Sequence, residues 1–163
     1  MSDTPETDPL MAERFARLES REAPHLWQTL GYRRVSHGVG TVTIGWEATP
    51  DYGFPTAAGY RVHGGMVTAI LDTAMGGATW TVLGPDEVFL TADLRVEFHR
   101  ATPVGPLTAT GTVLKRTRRV AFCEAQLHDA EGRVLAASRC TQVVLPADGP
   151  AGRYGTDEDS GRG

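Results

Sequence analysis

Apolar and polar side chains alternate along much of the chain, with the period of a half-buried β-strand. This pattern predicts strands over residues 32–36, 41–48, 88–99, 107–116, 120–128 and 134–145. Val42, Ile44 and Trp46 share one face of the second strand. The 88–99 segment alternates without interruption, so Leu90, Ala92, Leu94, Val96 and Phe98 are predicted on one face and Thr91, Asp93, Arg95, Glu97 and His99 on the other. Residues 49–62, rich in Pro, Gly and Tyr, are predicted to be a loop.

Helical spacing appears in two places. The run HGGMVTAILDTAMGGATWTVL at residues 63–83 has the length of a long helix that is buried on all sides. Near the start, Met11, Phe15 and Leu18 predict a short helix, and Leu26, Trp27 and Leu30 a further turn or two. The order of elements predicts an α+β fold, in which one antiparallel sheet has a helix laid along it.

Small side chains are expected where the helix meets the last two strands. A turn near residues 130 and 131 would put two rows on one face, Ala121, Cys123, Ala125 and Leu127 beside Val134, Ala136, Ser138 and Cys140. The helix carries Gly76, Gly77 and Ala78. Both surfaces therefore favour a close approach between helix and sheet.

Length and composition limit the class of protein. A chain of 163 residues fits one domain, assigned to residues 10–145, with disordered ends at residues 1–9 and 146–163. A net charge of -4 argues against a nucleic-acid or membrane-surface partner. No stretch has the pattern of a signal peptide or a bilayer span, so the cytoplasm is expected. Cys123 and Cys140 are expected to be free, buried thiols.

Asp72 is the leading candidate for chemistry. It is the single ionisable group inside the long apolar helix, and a carboxylate is costly to bury without partners. At the start of the same helix, the N–H groups of Gly64 and Gly65 lie at the positive end of its dipole, with no side chain to block a ligand. Such donors can stabilise an oxyanion while a carboxylate attacks or deprotonates water.

Several segments resemble the hotdog-fold acyl-CoA thioesterases of the phenylacetate-pathway (PaaI-like) type. HGG at residues 63–65 and DTA at 72–74 match that family, as do TADLRVEFHRATPVG, GTVLKRTRRVAFCEAQL and GRVLAASRCTQVV further on. The resemblance covers about residues 25 to 145 and implies a sheet wrapped around a central helix. It also implies that acyl-CoA is hydrolysed to an acid and free CoA, with Gly64 polarising the carbonyl and Asp72 as general base or nucleophile.

The spacing of these two residues predicts a shared site. Residues eight apart on one helix are separated by about 12 Å, too far for one carbonyl to meet both. Asp72 of one subunit is therefore expected to face Gly64 of another across a two-fold interface. The resemblance implies the same arrangement, as a dimer or as a dimer of dimers.

Other family positions match this sequence less evenly. The family's Asn or Gln six residues before the HGG His falls on Ala57, and the chain contains no Asn, so Thr56 is the substitute if the loop has slipped by one residue. Thr91 matches the hydroxyl that contacts the attacking water in some relatives. His63 is assigned to positioning, with a helix cap as the alternative to a base. The Thr that one branch of the family has four residues after the acid is Gly76 here.

A basic cluster is the candidate site for coenzyme A. Its members are Lys115, Arg116, Arg118 and Arg119. They would bind the CoA phosphates, and a solvated hairpin is the alternative. Trp80, Tyr60 and Phe54 are candidates for the acyl pocket, or for the core in the case of Trp80.

Three functions stay open, in different classes. The first is an acyl-CoA thioesterase, the second a hotdog dehydratase or hydratase, and the third a non-catalytic acyl-thioester binder. No GxSxG, P-loop, GxGxxG or HExxH motif is present, and no metal or separate cofactor is expected beyond the CoA of the substrate.

Overall fold

The computed structural model describes residues 25–149. The predicted helix at Met11, Phe15 and Leu18 lies outside them, as do residues 1–9 and residues 150–163 of the predicted tail. The described residues contain two α-helices, α1 (His25–Leu30) and α2 (Gly64–Trp80). The strands are β1 (Tyr32–Gly38), β2 (Thr41–Ala48), β3 (Gly53–Thr56), β4 (Gly59–Val62), β5 (Glu87–Phe98), β6 (Gly105–Arg116), β7 (Val120–His128) and β8 (Val134–Pro146).

Six strands form one antiparallel sheet in the order β1-β2-β6-β7-β8-β5. Strand β5, which follows the long helix in the chain, is therefore an edge strand, and β1 is the other edge. Tight turns join the neighbours in sequence. At the β7–β8 turn Gly132 has a φ of 77°, a conformation that glycine adopts without strain. The predicted α+β architecture, one antiparallel sheet wrapped around a long helix, is confirmed.

The core lies between α2 and the concave face of the sheet. The helix buries side chains at spacings of three and four, namely Val67, Ile70, Leu71, Ala74, Met75, Ala78 and Thr79. Val42, Ile44 and Trp46 of β2 are buried against it, as predicted. The helix is not buried on all sides in the single chain, since the residues between these positions are half-buried or exposed.

The closest approach of helix and sheet occurs at Gly111 of β6. A Cβ added there would overlap the backbone carbonyl of Ala74. On the helix, a Cβ at Gly77 would lie 3.1 Å from Val42 Cγ1. These two close contacts are with β6 and β2, whereas the small side chains of the last two strands had predicted the close approach at β7 and β8. Gly111 was not among the residues that indicated it.

The β7–β8 face matches the predicted pairing in most positions. Leu127 pairs with Ala136, and Cys123 with Cys140. Both cysteines are buried free thiols, as expected. Val134 is the exception, because the register shifts between Leu127 and His128 and pairs Val134 with His128.

Two predictions about local structure were wrong. Residues 49–62 contain a short 3-10 helix (Pro50–Tyr52) and the β3–β4 hairpin instead of an irregular loop. Strand β5 does not alternate without interruption, because its register against β8 shifts between Thr91 and Asp93. The extra residue reverses which face the earlier side chains occupy. Thr91 is therefore on the helix-facing side together with Leu94, Val96 and Phe98, and not on the opposite face.

Candidate active site

The start of α2 is organised by His63. This residue is the N-cap of the helix, and its Nδ1 accepts a hydrogen bond of 3.0 Å from the N–H of Gly65. The carbonyl of His63 accepts from Met66 and Val67. Within residues 25–149, the Gly64 N–H donates to no group. The sequence predicted that the N–H groups of both Gly64 and Gly65 would be available to a ligand. Only the Gly64 N–H is available, because the Gly65 N–H donates to His63.

Gly64 lies directly under an aromatic ring. A Cβ added at Gly64 would be 3.2 Å from Cζ of Phe98, which belongs to the end of β5 and is 56% exposed. Glycine is the residue that leaves space between this ring and the helix start. The unpaired N–H of Gly64 thus borders an exposed aromatic surface, a contact that the sequence pattern did not indicate.

Asp72 lies on the side of α2 that faces β5. Its Oδ1 accepts a hydrogen bond of 3.1 Å from the hydroxyl of Thr91. Partial burial raises the pKa of the Asp72 carboxyl above its usual value, and the Thr91 hydrogen bond partly opposes this rise. The β-bulge after Thr91 is what turns this hydroxyl towards the helix. Asp72 and Thr91, two of the predicted site residues, are therefore in direct contact.

The chain does not bring Asp72 and Gly64 together. Both belong to the continuous helix α2, so the rise per residue separates them by about 12 Å. Each has a partner on β5, Phe98 for Gly64 and Thr91 for Asp72. The two halves of the candidate site thus lie at separate points along β5, which is an edge strand of the sheet formed by residues 25–149.

The two residues considered as replacements for the family's amide lie at the tip of the β3–β4 hairpin. The Thr56 hydroxyl donates to the carbonyl of Gly59 at 2.6 Å and accepts from the N–H of Ala58 at 3.2 Å. Ala57 is exposed in the turn itself. Within one chain, neither residue contacts Asp72 or Gly64. The candidate pocket residues Phe54 and Tyr60, on the same hairpin, are 48% and 44% exposed.

The basic cluster divides into two kinds of side chain. Arg116 forms an ion pair of 2.8 Å with Glu87, which also accepts from the N–H of Gly84. This arginine ties the end of β6 to the start of β5. Arg118 and Arg119 are exposed in the β6–β7 turn. They are available to a polyanion, whereas Arg116 is engaged in the fold.

One polar residue near the site was missed from the sequence. Gln142 of β8 is 0% exposed, and neither Nε2 nor Oε1 has a hydrogen-bond partner. It pairs across the sheet with Thr91. The signal was present, since Gln142 interrupts a row of apolar and small side chains on the inner face of β8.

A six-stranded antiparallel sheet wrapped around one helix, with a half-buried carboxyl in the middle of that helix, defines a protein of the hotdog type. The Thioesterase superfamily pattern matches residues 60–136. A Deinococcus radiodurans protein named "Putative esterase" is 30% identical over 135 residues, which cover 80% of this chain and 82% of that protein. The chain therefore belongs to the thioesterase superfamily, a family of thioester hydrolases.

Two further comparisons agree with this assignment. The medium/long-chain acyl-CoA thioesterase YigI of Escherichia coli is 31% identical over 96 residues, which are 51% of this chain and 62% of that enzyme. The chain thus matches less than two thirds of the length of this relative. A phenylacetic acid degradation-related protein from Ralstonia eutropha has the same fold, with a TM-score of 0.71 at 24% identity over 82% of this chain and 98% of that one.

Proposed function

We propose that this protein is an acyl-CoA thioesterase of the PaaI-like type, hydrolysing an acyl-CoA to a carboxylic acid and free CoA. The observation that carries the proposal is the Asp72 carboxyl, half-buried on the central helix and bonded to Thr91. Membership of the thioesterase superfamily and the name of the E. coli relative support the substrate class. The acyl group is left open.

The proposed chemistry assigns one task to each group. The Gly64 N–H, at the positive end of the helix dipole, donates to the thioester carbonyl oxygen and stabilises the negative charge that develops there. Ionised Asp72 removes a proton from the attacking water, or attacks the carbonyl carbon itself. The carbon–sulfur bond then breaks, and the CoA thiolate takes up a proton. In the nucleophilic route, water then hydrolyses the acyl–Asp72 anhydride, which frees the carboxylic acid and restores the carboxylate. Thr91 holds the Asp72 carboxyl in position through its hydroxyl.

The complete site requires two copies of the chain. Because about 12 Å separate Gly64 from Asp72 on one helix, we propose that each site combines Gly64 of one protomer with Asp72 of its partner. The free edge of β5 supports this arrangement, since an unpaired strand edge is a surface for pairing with another chain. Exposed Leu90 and Phe98 on that strand would be covered. A pairing of such dimers into tetramers is compatible with it.

Secondary assignments follow from the same proposal. Arg118 and Arg119 would bind the phosphates of coenzyme A. Phe54 and Tyr60 would line the acyl pocket together with residues of the partner subunit. Two buried free thiols suit the reducing conditions of the cytoplasm. Among the residues that the structure describes, no helix is both long and apolar enough to cross a membrane.

The test is the release of free thiol from a panel of aryl, short, medium and long acyl-CoAs. The wild-type protein is expected to turn over at least one class, and Asp72→Asn and Asp72→Ala to lower kcat by about 10³-fold or more. Asp86→Asn, an exposed aspartate in the loop before β5, is the matched control and should retain full activity. Light scattering on the active fraction should show at least a dimer.

Three outcomes would contradict the proposal or a part of it. Acyl-CoA binding without turnover would favour a non-catalytic binder. Hydration of an enoyl-CoA without thiol release would favour a dehydratase or hydratase, for which His63 of one protomer would have to meet Asp72 of another. A monomer with full activity would remove the shared site.

A further inference from the structure

Gln142 is a fully buried amide with no hydrogen-bond partner. Its relative exposure is 0%, and both Nε2 and Oε1 are unpaired. A buried polar group without a partner destabilises a fold, and such groups in native proteins are few. An apolar residue of similar length would fill the same volume without this cost. The buried amide therefore indicates that Gln142 has a role other than packing.

The neighbours of Gln142 are residues of the candidate active site. On the inner face of the sheet it is paired with Thr91, whose hydroxyl donates to Asp72 at 3.1 Å. Directly paired side chains on adjacent strands have Cβ atoms about 4.5–5.5 Å apart, within reach of a glutamine amide. The β-bulge after Thr91 creates this neighbourhood, because a regular strand would have turned Thr91 to the other face.

The helix leaves room above the amide. Gly76, one turn beyond Asp72, has no side chain, and a Cβ added there would lie 3.9 Å from Nε2 of Gln142. The ring of Phe89 closes the same space, 3.2 Å from that Cβ position. The Gln142 amide thus faces a glycine of α2 at this position and not a side chain.

We propose that Gln142 is a positioning residue for Asp72, its Nε2 donating to the Thr91 hydroxyl oxygen so that the Thr91 proton is directed at the carboxylate. The Thr91 hydroxyl uses its only proton on Asp72, so its oxygen is left as an acceptor and the amide N–H is the matching donor. Catalytic hydrogen bonds are often open in the free enzyme and shorten when substrate binds. This inference rests on the proposed function of Asp72.

The two successive hydrogen bonds, from Gln142 to Thr91 and from Thr91 to Asp72, favour the ionised form of Asp72. A donor to the Thr91 hydroxyl oxygen strengthens the hydrogen bond that this hydroxyl donates to the carboxylate. Cys140 is an ionisable side chain near Asp72. A hydrogen bond with Cys123 and burial raise the pKa of Cys140, and the charges of Asp72 and Asp93 add to the rise. Cys140 is therefore neutral and adds no charge beside Asp72. Gln142 opposes the effect of burial, which is the largest cause of the raised pKa of Asp72.

The test compares Gln142→Met and Gln142→Leu with Gln126→Met, which changes an exposed glutamine of β7. In the Gln142 variants we expect kcat at the pH plateau to fall about fivefold, the effect of losing one ordinary hydrogen bond, with KM changed less than twofold. The acid limb of the kcat profile should move to higher pH. Melting temperature should stay equal or rise, since an unpaired amide is removed. Gln126→Met should change none of these.

A second measurement does not depend on turnover. The Asp72 carboxyl can be titrated by carbon-13 NMR in the complex with a non-hydrolysable acyl-CoA thioether, its signal assigned by its absence in Asp72→Asn. The inference expects a higher pKa in both Gln142 variants. An unchanged pKa together with an unchanged acid limb would overturn it, whatever the melting temperature does. If the wild type hydrolyses no thioester, the proposed function fails by itself, and the NMR titration still decides whether Gln142 acts on Asp72.

Discussion

Replacing Gly64 by proline deletes the one backbone N–H assigned to the thioester carbonyl. Gly64 is the first residue of α2, a position where proline is common because its fixed φ suits the first helical turn. The preceding His63 has a ψ of 138°, in the extended region that a residue before proline favours. Since the Gly64 N–H has no partner within residues 25–149, the substitution removes no hydrogen bond of the described fold.

The magnitude follows from the role of the N–H. Loss of one oxyanion donor in related chemistry costs about 10²–10³ in kcat, or about 2.7–4 kcal/mol of transition-state stabilisation. Gly64→Ala is the matched control, because it keeps the N–H and adds the same Cβ. That Cβ would lie 3.2 Å from the Phe98 ring, which is 56% exposed and can turn away. We expect the alanine variant to keep kcat within about threefold of wild type.

The assay is thiol release under saturating acyl-CoA, with the melting temperature of each variant as the check on folding. A folded Gly64→Pro protein with kcat within tenfold of Gly64→Ala would refute the assignment of this N–H.

The Gly64→Pro variant also tests whether the site is shared between two protomers. Heterodimers of Gly64→Pro and Asp72→Asn, purified with two different tags, contain one intact site and should regain about half of the wild-type activity. No recovery would place both groups in a site within one chain.

Three further changes test the remaining contacts. Thr91→Val removes the hydrogen bond that lowers the pKa of Asp72, so the acid limb of kcat should move to higher pH. The pKa of Asp72 is higher in the folded state than in the unfolded state, so ionisation of Asp72 lowers the stability of the fold. Thr91→Val raises the folded-state pKa further, so above that pKa the variant should be less stable than wild type in urea unfolding. The difference in stability should fade as the pH falls below the pKa of the unfolded state. Gly111→Ala should destabilise the fold by about 3 kcal/mol or more, since its Cβ overlaps the α2 backbone. Alanine at both Arg118 and Arg119 should raise KM for acyl-CoA about fivefold in low salt, with no change for a thioester that lacks the nucleotide.

Most of the architecture could be predicted because it follows from periodicity. The alternation in β2, β6, β7 and β8 and the apolar length of α2 give the sheet, the helix and their order. The β3–β4 hairpin could not be read in this way. Its side chains from Phe54 to Tyr60 are exposed on both faces, so no burial pattern marks it as a strand pair. Segments without a buried face leave no periodic signal.

The candidate site was predictable where a residue type conflicts with its surroundings. Asp72 is an acid in an apolar helix, and glycines at a helix start expose backbone donors. The division of the basic cluster was not predictable, because the Glu87 partner of Arg116 is 29 positions away in the chain. The hydrogen bond from the Gly65 N–H to His63 depends on the side-chain rotamer of His63, which the spacing of residues in the sequence does not specify.

The β-bulge in β5 connects these observations. The sequence from 88 to 99 is regular in its alternation, and a regular strand would have put Leu90 on the same face as Phe98 and Thr91 on the opposite face. The inserted residue instead leaves Leu90 48% exposed and turns the Thr91 hydroxyl towards Asp72. A β-bulge that leaves an apolar side chain exposed is tolerated where the bulge forms part of a functional site or an interface. The exposed Leu90 and the inward Thr91 arise from the same displacement. The surface proposed for a second copy and the hydrogen bond to Asp72 are therefore consequences of one feature of β5.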